Sequence, residues 1–274
     1  MTPIKIANSP RYKTKLCVPG SSQKMIAKAL SLSADQIILD LEDSVLDADK
    51  SVARENIEAI ATSNGKPKAI RINSLHTSHF KHDAAFLNEL ADCYEQLVLP
   101  KIDTREMLEE CIREFPQMTA FEVQIETSLG LVNVAEIASH PRVNALSFGP
   151  LDFLASVGVP IVSSNLWGDE IHQLLRHALM QIIIAGHAHH KYVYDGPTVI
   201  LEDQSLISST TTARNLGADG KWLIHPDQIE LCTAIFNEEI GQDLDVSGMH
   251  GGSERISGQM VDIASLRIAK NREN

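Results

Sequence analysis

Two acids carry the first chemical signal: Glu126 in the run FEVQIETSLG and Asp152 in LSFGPLDFLA, 26 positions apart. Each follows an apolar run that reads as a β-strand, Ala120 to Ile125 and Val143 to Phe148. Between them, Gly130 to Ser139 places Leu131, Val134, Ala135 and Ala138 at helical spacing. Strand, helix and strand make one βαβ unit, whose two strands run parallel and share their carboxyl ends. Both carboxylates are therefore expected to open into one cavity. Two hard oxygen ligands that leave the other positions to water and substrate suit Mg2+, with Mn2+ as a substitute, because Mg2+ prefers octahedral oxygen and gives up water reluctantly. The residue types also leave a plainer use open, with Glu126 capping the next helix and Asp152 as the N-cap of a helix from Phe153.

The elements that must position this pair repeat along the chain. Strands are predicted to end near residues 18, 41, 72, 99, 125, 148, 201 and 224, the seventh as Thr198 to Leu201, and helical spacing separates them. Helices are expected over Asp49 to Thr62, Phe80 to Leu90, Asp103 to Phe115, Asp169 to His190, Gln204 to Leu216 and Pro226 to Asn237. Eight β/α units is the number that closes a (β/α)8 TIM barrel. An open doubly wound sheet is the rival, but neither GxGxxG after the first strand nor GxxxxGK[ST] anywhere is present. The expected organisation is a barrel over residues 1–238 and, over 239–274, a glycine-rich tether leading to a terminal helix or lid from Met260 to Lys270.

Composition bounds the function class. A net charge of −12 over 274 residues, with pI near 5.3, disfavours a nucleic-acid or anionic-membrane surface. Cys17, Cys93, Cys111 and Cys232 are far apart and form no CxxC pair, so reduced thiols and a cytoplasmic location are expected. The segment MTPIKIANSPRYKTK is too polar for a signal peptide, and no apolar run is long enough to span a bilayer.

Other charged residues fall at predicted strand ends. Asp40, Glu42 and Asp43 in LDLEDSV either complement a helix dipole or orient waters on a cation from an outer shell. Arg71, inside an apolar strand ending, is costly unless it meets an anion, either a substrate carboxylate or developing enolate, or an internal acid. Loop histidines His76, His79 and His82 read as solvated, and His187, His189 and His190 as complements to a helix carboxyl terminus. Nothing in the sequence marks Lys101 or Lys221 as a Schiff-base lysine.

Five runs together, LCVPGSSQKMIAKALSLSADQIILDLEDSVLDADKSVAREN, RIN, LVLPKID, QIETSLGLVNVAEIASHPRVNALSFGPLDFLA and GADGKWLIHPDQIE, resemble the citrate lyase β-subunit-like family. That family belongs to the HpcH/HpaI aldolase superfamily and is related to malyl-CoA and citramalyl-CoA lyases. The resemblance covers roughly Lys15 to Phe236. It implies a barrel, usually trimeric or a hexamer of trimers, that uses Mg2+ to cleave or form a carbon–carbon bond beside a thioester, of coenzyme A or of an acyl-carrier protein, yielding a 2-keto acid and an acyl thioester. By motif, Glu126 and Asp152 would hold the metal, Arg71 and Glu126 would contact substrate, and Arg71 would also act in catalysis. Glu42 and Asp43 would lie in the outer shell. Asp262 of GQMVD resembles the family's carboxyl-terminal acid, which in several relatives enters a neighbouring subunit's site. Leu129 stands where many relatives carry a basic residue, and the stretch from Asn237 to Gly258 is short for the family. Two alternatives remain, a class II aldolase acting on free 4-hydroxy-2-keto acids and a non-catalytic binder of metal and keto acid. Asp43, where such aldolases tend to have histidine, weighs against the first.

Overall fold

The computed structural model describes residues 10–61, 68–159, 168–238, 254–256 and 259–262. The chain divides into two compact units, residues 6–236 and residues 237–274 with 1–5. In the first, eight strands alternate with helices: β1 (Thr14–Pro19), α1 (Gln23–Leu30), β2 (Gln36–Asp40), α2 (Lys50–Ala61), β3 (Lys68–Arg71), α3 (His79–Glu89), β4 (Gln96–Leu99), α4 (Arg105–Arg113) and β5 (Phe121–Ile125). There follow α5 (Ser128–Val132), α6 (Val134–Ala138), β6 (Val143–Phe148), α7 (Pro150–Ser156), α8 (Asp169–Ala188), β7 (Tyr192–Asp195), α9 (Asp203–Leu216), β8 (Gly220–Leu223) and α10 (Gln228–Asn237). Every neighbouring pair is parallel, and β8 closes on β1 through Thr14 to Leu16 against Lys221 to Leu223. This is the (β/α)8 barrel that the spacing predicts.

Strand alternation explains why the barrel has two cores. In β2, Ile37 and Leu39 pack outward with the helices while Ile38 faces the interior; in β4, Leu97 and Leu99 pack outward and Val98 inward. The interior cluster is small, with Tyr12, Ile38, Ala69, Val98, Ala145, Tyr194 and Trp222. The same two-residue period turns Lys15 of β1, Asp40 of β2, Arg71 of β3, and Glu122 and Gln124 of β5 toward the axis, and Glu126 continues that row past the strand end.

Local signals fix the helix starts and stops. Ser22 and Thr104 accept backbone N–H bonds from Met25 and Met107 at the first turns of α1 and α4. α9 ends on Gly217 at φ 105°, the left-handed stop that glycine adopts without strain.

Several expectations are revised. The seventh strand is Tyr192–Asp195, not Thr198 to Leu201, because Gly196 and Pro197 end the extended run and Pro197 has no N–H for a ladder. Thr127, not Glu126, caps α5, its hydroxyl accepting from the Gly130 N–H, and Asn133 splits the expected single helix into α5 and α6. Asp152 lies within the first turn of α7, whose N-cap is Gly149. In the second unit, β9 (Glu254–Ile256) pairs antiparallel with β10 (Gln259–Val261), and Asp262 follows β10, exposed. Met260 and Val261 are therefore strand residues rather than the opening of a helix. Residues 263–270 of the expected helix lie outside the described residues.

Candidate active site

Freed from capping, Glu126 lies just beyond β5 with 1 % of its surface exposed. Its Oε1 accepts the Lys101 backbone N–H at 2.8 Å, while Oε2 is buried without a hydrogen-bond partner. Burial, then the fields of Glu42 and Asp152, push its carboxyl well above the usual range, against the opposing pull of Arg71 and Lys101. The space beside it is kept by Gly149 at the end of β6. A Cβ there would overlap Glu126 Oε2 and Cβ and would stand 3.0 Å from Gln124 Nε2. Asp152, three residues on, is half-buried and close enough to act on Glu126 electrostatically. A buried, partnerless carboxylate oxygen beside a second acid is what a hard divalent cation relieves. Among the described residues no trio of His, Cys, Asp or Glu forms a metal cage, so a cation here rests on this carboxylate pair.

Arg71 is anchored by an acid of the neighbouring strand. Its guanidinium binds Asp40 in bidentate fashion, Nε to Oδ1 and Nη2 to Oδ2, both at 2.7 Å. The internal salt bridge held open by the sequence is therefore present. Burial raises the Asp40 carboxyl, but the Arg71 charge and hydrogen bonds, with Ser44 and the Glu42 N–H, outweigh it and bring it down to about 2. The remaining edge, Nη1, has only long contacts, 3.3 Å to Glu42 Oε2 and 3.4 Å to Gln124 Oε1. The first lacks hydrogen-bond alignment, which leaves that Glu42 oxygen unsatisfied. The Trp222 ring covers one face of the guanidinium, with its centroid 5.6 Å from Cζ. Arg71 is thus clamped, with one edge turned toward the acids.

Glu42 is 4 % exposed, and burial raises its carboxyl above the ordinary value. Lys50 Nζ donates to the carbonyls of Leu41 and Glu42 at 2.7 Å each, holding this loop. Asp43 is exposed and meets Lys101 Nζ at 3.1 Å. The sequence left Lys101 unassigned; although burial lowers its pKa, bonds to Glu42 and Asp43 outweigh that and raise the ammonium above its ordinary value. That is the reverse of the depressed amine a Schiff base needs.

Three concavities are of comparable size among the described residues, one of about 430 Å3 being lined by Glu106, Glu109, Arg113, His140 and Arg142 away from the strand-end acids. One of about 370 Å3 lies between α8 and α9, with Lys221 and Asp195 among its lining residues. Another of about 510 Å3 is lined by Glu42, Asp43, Asn73, His79 and Lys101 at the ends of β2 to β4. Only the one of about 510 Å3 borders Glu42 and Asp43, so we take it as the entrance to the site. His79, at its rim, pairs with Asp47 at 2.8 Å, and His187 pairs with Asp219 at 3.2 Å on the outside of the barrel.

Against known families, residues 13–226 match the profile described as HpcH/HpaI aldolase/citrate lyase. The chain belongs to this family. Within the family, it is 32 % identical to an L-malyl-CoA/beta-methylmalyl-CoA lyase of Cereibacter sphaeroides, over 94 % of this chain and 92 % of the relative. It is 30 % identical to a (3S)-malyl-CoA thioesterase of the same species, over 82 % and 77 %. Among solved structures, CitE of Mycobacterium tuberculosis in complex with magnesium, acetoacetate and coenzyme A superposes with a TM-score of 0.80 at 26 % identity, covering 96 % of this chain and 97 % of that one.

The tertiary structure gathers Glu126, Asp152, Arg71, Glu42 and Asp43 at one end of the family barrel. Asp262 belongs to the second unit. Sequence reasoning missed Lys101, Gly149 and the Arg71–Asp40 clamp. Parity along the strands was a usable signal for the clamp, since Asp40 and Arg71 both take inward positions. Nothing local marked Lys101 as a residue at φ 54°.

Proposed function

We propose that this protein is a Mg2+-dependent carbon–carbon lyase that cleaves or forms a 3-hydroxy acyl-coenzyme A thioester of the citryl, citramalyl or malyl type. The products of cleavage are a 2-keto acid and an acyl thioester. The observation that carries this reading is the buried Glu126 Oε2, without a protein partner, beside Asp152 in a family whose members include malyl-CoA lyase. Glu126 and Asp152 would hold the cation, which when bound supplies Lewis-acid polarisation of the keto oxygen. In the cleavage direction the substrate hydroxyl gives its proton to water, the adjacent carbon–carbon bond breaks, and its electron pair passes to the thioester as an enolate that is then protonated on carbon. Arg71, held by Asp40 and Trp222, would turn its Nη1 edge to this developing charge, a contribution worth about 10²–10³-fold in rate for one donor. Asp262 would deliver the proton on carbon, or remove it in the condensing direction, from a lid formed by residues 239–274.

The assembly we favour is a cytoplasmic homotrimer, or a hexamer of trimers, in which that lid serves a neighbouring site. Support comes from the family resemblance and from the absence, among the described residues, of a helix able to cross a membrane. A panel of citryl, citramalyl and malyl thioesters with Mg2+, assayed for both keto acid and free coenzyme A, tests the reaction. Stoichiometric keto acid is the expected product. Free coenzyme A without keto acid would point to thioester hydrolysis instead, and cleavage of free 4-hydroxy-2-keto acids alone would point to an aldolase. Mixing Asp262→Ala with Arg71→Ala subunits tests the shared site, where regained activity is expected; full activity of Asp262→Ala alone would remove this acid from the mechanism.

A further inference from the structure

Lys101 joins the carboxyl ends of three strands. It follows Pro100 at the end of β4 with φ 54°, a conformation glycine adopts freely and an L-residue rarely does. That turn aims its peptide N–H at Glu126 Oε1, 2.8 Å away beyond β5. Its side chain crosses to the β2 end, where Nζ lies 2.5 Å from Glu42 Oε1 and 3.1 Å from Asp43 Oδ2. Five acids crowd this mouth, Asp40, Glu42, Asp43, Glu126 and Asp152, and the cations divide them. Arg71 answers Asp40 in bidentate geometry, and Lys101 serves Glu42 and Asp43 together. Glu126 and Asp152 remain, and two negative charges match one divalent cation.

We infer that Lys101 is a positioning residue for the metal site: its peptide N–H sets the rotation of the Glu126 carboxylate, and its ammonium, as counter-cation of Glu42 and Asp43, keeps both acids out of the coordination shell. This role rests on the metal site proposed above. It makes a prediction that a merely structural lysine does not, because removing the charge should tighten metal binding while slowing the reaction. With the ammonium gone, Glu42 and Asp43 add their field, or their oxygens, to the cation.

The test is titration of the metal-free, full-length protein with Mn2+, free Mn2+ being followed by electron paramagnetic resonance. Wild type is compared with Lys101→Met, Lys101→Gly and Lys101→Arg, alongside turnover and thermal melting. Lys101→Met is expected to bind Mn2+ about 10-fold more tightly, or to take up a second ion, while kcat falls by about 10–100-fold. Lys101→Gly should show the same metal and rate changes but melt higher than Lys101→Met, because glycine relieves the backbone while keeping the N–H. Lys101→Arg, which keeps the charge, should return Mn2+ affinity toward wild type. Unchanged Mn2+ affinity and stoichiometry in Lys101→Met and Lys101→Gly, with wild type binding normally, would overturn the role of Lys101 alone. A wild-type protein that binds no Mn2+ would remove the metal site and this role with it.

Discussion

The barrel holds two clusters of buried charge, and they are built on opposite terms. In the amino-terminal half of the interior, Lys15 Nζ pairs with Glu122 and donates to Gln96 Oε1 at 3.1 Å, while Glu122 Oε1 accepts the Trp222 indole N–H at 2.8 Å. Gln96 in turn donates to Asn144 at 3.0 Å, and the Tyr194 ring lies 4.2 Å from the ammonium. Both charges are met and both Glu122 oxygens are used, and the one amide left without a partner there, Gln36 beside Lys15, is neutral. At the carboxyl-terminal end, Glu126 and Glu42 each keep a buried oxygen without a hydrogen bond, and acids outnumber the cations that reach them. The first arrangement specifies and stabilises a fold; the second stores unfavourable electrostatics that a ligand can relieve. Trp222 touches both, with its N–H in the lower cluster and its face against Arg71 in the upper.

Substitutions can break that contrast. The largest effect is expected for Glu126→Gln, which keeps the shape and removes the charge. Steady-state assays should show kcat/KM lower by about 10³-fold or more, since a bound cation supplies several kcal/mol. The melting temperature of the metal-free protein should hold or rise, because an uncompensated buried charge has gone. A loss of both would erase the distinction between the clusters. In the lower cluster the signs reverse. Lys15→Met leaves Glu122 buried without its cation and should cost about 3–5 kcal/mol in denaturant unfolding, with the folded fraction still active. Adding Glu122→Leu should restore most of that stability, since an apolar pair of similar volume removes the unpaired charge.

A smaller effect is expected from Gly149→Ala, whose methyl group would displace the Glu126 carboxylate. Metal affinity, followed by Mn2+ titration, should weaken by about 10–100-fold, the range seen when the support of a ligand is disturbed. The smallest concerns Asp40, the one acid of the mouth that is fully paired. Its folded pKa of about 2 lies below its ordinary 3.8, so the unfolded chain binds the proton more readily. The stability it contributes is present above about pH 4 and is lost as pH falls toward 2. Its size is about 2 kcal/mol, and the difference between wild type and Asp40→Asn in acid unfolding should vanish across that window.

Much of the frame is legible in the sequence. Seven of the eight strand ends were expected within a residue or so of where they lie, because long apolar runs covered on both faces leave little ambiguity. The seventh was displaced because YVYD is short and polar at its ends, while the β-branched run after Pro197 mimics a strand. Met260 and Val261 were misread for the same local reason, a three-residue strand carrying too few positions to declare its period. Glu126 and Asp152 were legible as strand-end acids because residues within a few positions after a buried parallel strand have one end of a barrel to occupy.

By itself, then, the sequence determined the order of strands and helices, the closure number, and which acids stand at the carboxyl ends, since periodicity and turn residues act over a few positions. Only the tertiary structure decided how those acids are shared. Asp40 and Arg71 are 31 positions apart and Lys101 is 59 from Glu42. Such pairs exist only because adjacent strands are in register and one lysine adopts a left-handed turn. Local spacing does not encode these conditions, because each partner's environment is supplied by a different β/α unit.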